Sequence, residues 1–359
     1  MSGTDCQDSW VVAKPRGEDP GALPPTVRVL RSIPEVEEMR AVWTGMRPHP
    51  NADIDLFLNV IRSRPKMVRP HVPVLCKNGT PAALVIGRFE DSHVEFKIGY
   101  ADFFRPKARM LTFIYGGLLG HPGADDCEAL AHEVMNSLRH GEADAAFFNH
   151  LRADGPLYRA LMRLSGFWGR DHFPAVQTHR SMSLPGSAEE FWARLSPKVR
   201  KNQRWQAKKL LSNHPGGVRI ECFRQVSELE RMIQDVEQIA RKTYQRGLGV
   251  GFTDNEDTRQ RLHLKAEKGW LRGYVLYTGD SPCAFWLGTL YHQEFHSDFM
   301  GYDPDHGKYS PGMYLIVQVV EDFCKRSGEE GIAAIDFGLG DAQYKEILGD
   351  VQWQDASAY

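Results

Sequence analysis

Four residues able to move protons crowd into the stretch HQEFHSDF: His292, Glu294, His296 and Asp298. Strand alternation puts His296, Asp298 and Met300 on one face, with Ser297 and Phe299 on the other. Any of the four could take a proton from an attacking nucleophile, or could simply line a solvated face. A second cluster lies in DFGLGDAQYKEILG, 336–349, where Asp336 ends the apolar run IAAID. Gly338 and Gly340 allow the chain to turn tightly before Asp341. Tyr344 and Lys345 follow, and a lysine there could stabilise negative charge developing on a reacting group. Asp336 could act in the chemistry, or serve as a hydrogen-bond acceptor or an ion-pair partner for Lys345.

Between these clusters runs Tyr309-Ser310-Pro311-Gly312-Met313. Ser followed by Pro is a favourable helix start, because Ser caps free N–H groups and Pro loses no bond at the first position. A Gly next in line weakens a helix by about 1 kcal/mol relative to Ala. It would also leave open the positive end of the helix, which suits an anion such as a diphosphate. An ordinary capped surface helix is the plainer reading.

The elements that position these residues show an internal repeat. VPVLCKNGTPAALVIGRF (72–89) overlays GYVLYTGDSPCAFWLGTL (273–290) at an offset of 201, matching Val74/Val275, Leu75/Leu276, Pro81/Pro282, Ala83/Ala284 and Gly87/Gly288. Gly99-Tyr100 then meets Gly301-Tyr302 after one residue of slippage. Each copy reads as an antiparallel meander, followed by a helix (127–141 or 312–328) and a buried strand (144–151 or 332–339). The first copy carries a further segment, 103–126, and lacks the Ser-Pro-Gly start. The expected fold is α/β in the broad α+β sense: two tandem halves, each a mixed, mostly antiparallel sheet flanked by helices. A tail over 1–25, a first half over 26–185 and a second half over 186–359 are the expected divisions.

The 359 residues carry a net charge of −2, which gives no reason to expect nucleic acid binding. The six cysteines form no CxxC pair, and no paired Cys/His ligands suggest a metal. No signal peptide and no run of 18 apolar residues is present, so a cytoplasmic location is expected. Peripheral membrane contact stays open. A basic run, 198–209, follows the helix start Ser196-Pro197, and Arg200, Arg204 and Lys208 share one face. It could attract an anionic partner or be a solvated face. The stretch 243–252, which includes Tyr244, reads as a flexible loop able to cover a bound acceptor.

Taken in order, SPKVRKNQRWQAKKL, YVLYTGDSPCAFWLG, GYDPDHGKYSPGMYL and DFGLGDAQYKEILG resemble the GNAT superfamily of N-acyltransferases. More narrowly they resemble its CelD/BcsL branch, related to the Fem-type transferases. The resemblance spans about 27–359, and its specific part is 190–350. It implies two GNAT-like halves and transfer of an acetyl or longer acyl group from acyl-CoA to an amine. The acceptor would be a small-molecule amine or envelope precursor: an envelope sugar, amino acid or lipid amine. It further implies that Tyr309, Ser310, Pro311, Gly312 and Met313 cradle the CoA pyrophosphate. Asp336, Lys345, His296, Asp298 and Tyr344 would serve catalysis, and Arg200, Arg204 and Tyr244 the substrate. The usual Gln/Arg-x-x-Gly-x-Gly/Ala fingerprint is replaced here by LysTyrSerProGlyMet. A Fem-like aminoacyl-tRNA donor, or a non-catalytic pair of halves in envelope polysaccharide assembly, are the alternatives.

Overall fold

Fourteen strands carry the fold among the described residues. In a computed structural model, the described residues are 25–64, 68–93, 96–98, 101–104, 106–172, 174–247, 249 and 251–359. The strands are β1 (Thr26–Leu30), β2 (Val68–Lys77), β3 (Thr80–His93), β4 (Phe96–Ile98), β5 (Ala101–Phe104), β6 (Lys107–Gly120), β7 (Ala145–Arg152), β8 (Ala175–Ser183), β9 (Val218–Phe223), β10 (Leu271–Thr278), β11 (Ser281–Tyr291), β12 (Glu294–Tyr302), β13 (Ala334–Leu339) and β14 (Val351–Ala358). Twelve of them form one sheet in the order β1-β2-β3-β6-β7-β14-β8-β13-β12-β11-β10-β9, and β4 pairs only with β5.

That order reads as two equivalent series. In the first half β2, β3 and β6 form the antiparallel meander, and β6 then pairs in parallel with β7 after the helix Ala124–Arg139. In the second half β10, β11 and β12 do the same, and β12 pairs in parallel with β13 after the helix Pro311–Glu330. The closing strands cross over: β8 of the first half pairs with β13, and β14 of the second half pairs with β7. The two closing strands also pair with each other. Both expected turns are tight, with Asn78 and Gly79 in one and Gly279 in the other at positive φ.

One detail of the repeat is corrected. The segment 103–126 is no insertion, because most of it is β6, the counterpart of β12, paired with β3 along its length. The interposed β4–β5 hairpin displaced the match, and Gly99-Tyr100 lies outside the described residues, as does the tail over 1–24.

Helices cover both faces of the sheet because the strands between them are apolar on both sides; every residue of β10 is buried. In the second half, Trp286, Phe295 and Phe337 pack against Leu315, Val319 and Phe323 of the helix Pro311–Glu330. The opposite face packs on Met232, Ile233 and Val236 of the helix Leu229–Ala240. These layers hold the central strands rigidly, which fixes what projects from β8, β12, β13 and β14.

Candidate active site at the seam of the two halves

Asp336 is the last residue of β13 to pair with β12, opposite His296. Its Oδ2 lies 3.3 Å from His296 Nδ1, and its Oδ1 lies 2.6 Å from His179 Nε2 and accepts from the Gly338 N–H at 2.6 Å. That last bond requires the chain to turn at once, which Gly338 does at φ +71°. His179, fully buried in β8, continues the chain through Nδ1 to Asp355 of β14 at 3.1 Å and to the Tyr115 hydroxyl at 3.0 Å. Trp353 stacks on the His179 ring, 4.2 Å between centroids, and its N–H donates to Asp355 at 3.0 Å. At the outer end, Glu294 Oε2 lies 3.6 Å from His296 Nε2. The crossed closing strands thus bring residues of both halves into one chain, buried from His296 through Asp336 and His179 to Asp355 and partly exposed at Glu294.

His49 completes the cluster from the first half. Its ring sits edge-on to His296 at 4.7 Å and to Tyr115 at 4.6 Å. Gly116 makes this approach possible, because a Cβ there would lie 2.4 Å from the His49 Cβ. The halves are also tied by the Tyr291 hydroxyl, which donates to Asp53 at 2.7 Å. Asp53 in turn caps the helix Ile54–Ser63.

Burial alone would lower His179 and raise Asp336, but their mutual hydrogen bonds reverse both. The two carboxylates push His179 up to about 9, and His179 with His296 holds Asp336 well below the usual carboxylate range. Burial and the neighbouring His296 press His49 down to about 3, so it is neutral at physiological pH. Burial raises Glu294. His49, His296 and Asp336 could by spacing hold a metal ion. The His49 tautomer argues against it. Its Nδ1 accepts from the Asn51 N–H at 3.1 Å, so the ring proton is on Nε2, the atom facing Asp336 at 3.9 Å.

Beyond His296 and Asp336, β12 and β13 separate. A cleft of about 540 Å³ opens there, lined by Asp298, Phe299, Gly338, Tyr344 and Lys345 among others. Lys345 is buried and its ammonium donates to the Leu339 carbonyl; burial lowers it to about 8. It forms no ion pair with Asp336, whose bonds go to the two histidines and Gly338. On the other side of Asp298 and Phe299, a pocket of about 490 Å³ lies between the halves. The register of β11 and β12 skips Asp298, passing from Gly288–Ser297 to Leu287–Phe299. This bulge breaks the alternation expected for His296 and Asp298. His296 joins Asp336, whereas Asp298 accepts from Lys265 at 2.8 Å and Thr289 at 2.7 Å.

The other expected residues divide. His292 lies in the β11–β12 turn with φ +48°, away from the cluster. The Ser310 carbonyl accepts from the Tyr314 N–H at the start of the helix Pro311–Glu330, and the Ser310 backbone is left-handed (φ 50°, ψ 51°). Pro311 is buried and Met313 packs on the core at the same helix start. Tyr309 is a core residue, edge-on to His214 at 5.1 Å. Gly312 faces Tyr302, whose Cδ1 would lie 3.3 Å from an added Cβ.

Arg200 braces a helix end: its Nη1 donates to the carbonyls of Trp192, Ala193 and Leu195 at 3.0–3.3 Å. Arg204 lies over the Trp192 ring at 5.7 Å. The Tyr244 side chain lies outside the described residues.

Residues 197–346 match the family model described as an acetyltransferase (GNAT) domain. The chain carries a GNAT acetyltransferase domain. It is therefore an acyltransferase, and the cleft between β12 and β13 belongs to the matched region. No curated protein matches the sequence. Among solved structures, FemX is similar in fold (10% identity, TM-score 0.55, covering 89% of this chain and 95% of FemX). So is the C-terminal domain of a protein from Agrobacterium fabrum described as a lysylphosphatidylglycerol synthetase (12% identity, TM-score 0.53, 90% and 91% covered). A protein of unknown function from Bacteroides thetaiotaomicron is a third (12% identity, TM-score 0.51, 89% and 96% covered). These likenesses are of fold alone, and each spans both halves of the chain.

His49, Tyr115, His179 and Asp355 are the members that the sequence reading missed. Each sits in an ordinary loop or strand; the crossed pairing of β8 and β14 brings His179 and Asp355 to the site, and the bulge of β6 brings Tyr115 and, against Gly116, His49.

Proposed function

We propose that this GNAT domain transfers an acyl group from a coenzyme A thioester to an amine by direct attack. The amine nitrogen forms a bond to the thioester carbonyl carbon, the C–S bond breaks, and the thiol leaves as the amide forms. The observation that carries this reading is the parting of β12 and β13. They pair only from Glu294 to His296 and from Ala334 to Asp336, and the cleft that follows shares Asp298 and Phe299 with the pocket between the halves. A pantetheine arm laid in the cleft would meet backbone groups of both strands, as an added strand would. An acceptor in the pocket would approach from the opposite side. Asp298, common to both spaces, would hold the incoming ammonium, and His296 beside Asp336 would take its proton. Lys345 would offset charge on the carbonyl oxygen or the departing sulfur. The start of the helix Pro311–Glu330, with Gly312, would receive the diphosphate.

Thermal unfolding with CoA, acetyl-CoA and a long-chain acyl-CoA tests the donor. A ligand at a hundred times its Kd should add about 2.7 kcal/mol, and no shift with any thioester would end this reading. A shift with aminoacyl-tRNA alone would favour the Fem-like donor. The exposed Trp205, Lys201 and Lys208 of the helix Pro197–Asn213 offer a surface for that competitor. Lys345→Ala should leave the CoA shift intact and reduce kcat by about tenfold or more. Because Lys345 is lowered to about 8, wild-type kcat should fall as pH rises through 8, and Lys345→Arg should move that limb upward.

Membership of the CelD/BcsL branch, an envelope amine as acceptor and a cytoplasmic setting are part of the same proposal. They rest on the sequence resemblance. No described helix is long and apolar enough to cross a membrane.

A further inference from the structure

The pocket between the halves contains an unbalanced cation. Its charged lining residues are Arg88, Arg261, Lys265, Asp257 and Asp298. Lys265 is paired with Asp298 at 2.8 Å, Arg88 with Glu90 at 3.0 Å, and Asp257 with Arg64. Among the described residues Arg261 has neither a hydrogen bond nor an ion pair, and it stays open to the pocket. It projects from the helix Glu256–Glu267 one turn before Lys265, so the two share a face. Lys265 reaches Asp298 at the mouth of the cleft, which places Arg261 one helical turn, about 6 Å, further from the reacting centre. Asn51, Asn149 and Asn255 supply amide groups around it.

Arg261 is exposed to the pocket and shares its lining with a second guanidinium, that of Arg88, yet has no counterion of its own among the described residues. Burial, then Arg88, lowers the Arg261 pKa, and Asp257 and Asp298 only partly oppose this. A guanidinium fork pairs best with a planar carboxylate or a phosphate, through two parallel hydrogen bonds. We propose that the pocket selects acceptors bearing an anionic group, a carboxylate or a phosphate, near the amine, and that Arg261 binds that anion. The amine then lies towards Asp298 and the anion towards Arg261. This rests on the acyl-transfer reading of the adjoining cleft, but it can be measured without a donor.

Calorimetric titration should compare glucosamine 6-phosphate with glucosamine, and lysine with 1,5-diaminopentane, in the absence of CoA. The first pair isolates phosphate, and the second isolates carboxylate. In at least one pair the anionic member should bind about tenfold or more tightly. Arg261→Gln should erase that difference and Arg261→Lys should restore part of it. The CoA-induced thermal shift should persist in both variants, showing that the fold and the cleft remain. Equal binding within both pairs, including no binding by any of the four, overturns the proposal, as does a preference that survives Arg261→Gln. Loss of the CoA shift in the wild type would instead overturn the donor reading and leave the acceptor result standing.

Discussion

The two halves place different residues at one structural position. Where β6 and β7 make their last parallel pair, Phe113 faces Phe148, and the rings stack 4.4 Å apart at 9°. Where β12 and β13 do so, His296 faces Asp336. The backbone after each pair is alike: His150 and Gly338 both follow at positive φ, two residues on. Both third strands then bulge, at Ile114–Gly117 in the first half and at Asp298 in the second. The same framework thus carries an apolar seal on one side and a proton-handling pair on the other. The first half nevertheless contributes chemistry. Its closing strand presents His179 to the second half's Asp336, and its bulge presents Tyr115 to His179.

The sharpest test of this contrast is to alter each pair. Asp336→Asn should lower kcat by at least about a hundredfold, whereas Phe148→Leu should leave kcat of the folded protein unchanged and lower only its stability, by about 1 kcal/mol. Comparable losses of activity from both would show that the two junctions do not have separate roles.

A smaller effect should appear in the pH dependence of stability. His179 is raised from 6.5 to about 9 in the folded protein. Its contribution is therefore complete below pH 6.5 and lost as pH rises through 9. Chemical denaturation at pH 6 and pH 9.5 should show a fall of a few kcal/mol, and His179→Gln should flatten that slope. An unchanged slope would mean that His179 is not held as an imidazolium.

Much of the framework was readable from the chain because it is local. Alternating apolar residues, the Asn-Gly and Gly-Asp turns and the helix after each meander lie within short windows, and all recur in the fold. Asp336 was visible as a polar residue at a strand end, His296 and Asp298 as polar residues within a strand, and Lys345 as a cation after a glycine turn. Their partnerships were not: His179 and Asp336 are 157 residues apart, and no local pattern shows which closing strand crosses to which half. The Asp298 bulge also escaped a strict two-residue period. The helix-end role of Arg200 was hidden as well, because the spacing of basic residues does not reveal that its Nη1 donates to carbonyls at the end of the preceding helix.

The smallest expected effect concerns Gly312. An added methyl group would meet only the partly exposed Tyr302 ring, and Ala favours a helix by about 1 kcal/mol. Gly312→Ala should therefore change stability little. A weakened affinity for CoA in that variant would assign the glycine to phosphate clearance, and an unchanged affinity would assign it to the fit of Tyr302.

The crossing of β8 and β14 has a consequence for biogenesis. A ribosome releases β7 and β8 long before β13 and β14, so β7 lacks the partner for one edge, and β8 both its partners, when they emerge. Until then β7 exposes a row of unpaired backbone groups, the kind of edge that recruits strands from other chains. The sheet closes only through pairings of very distant segments, which makes closure slow and dependent on the whole chain. Expression of 26–185 alone should therefore yield an open-edged, association-prone species, and adding a peptide covering β14 should suppress its aggregation.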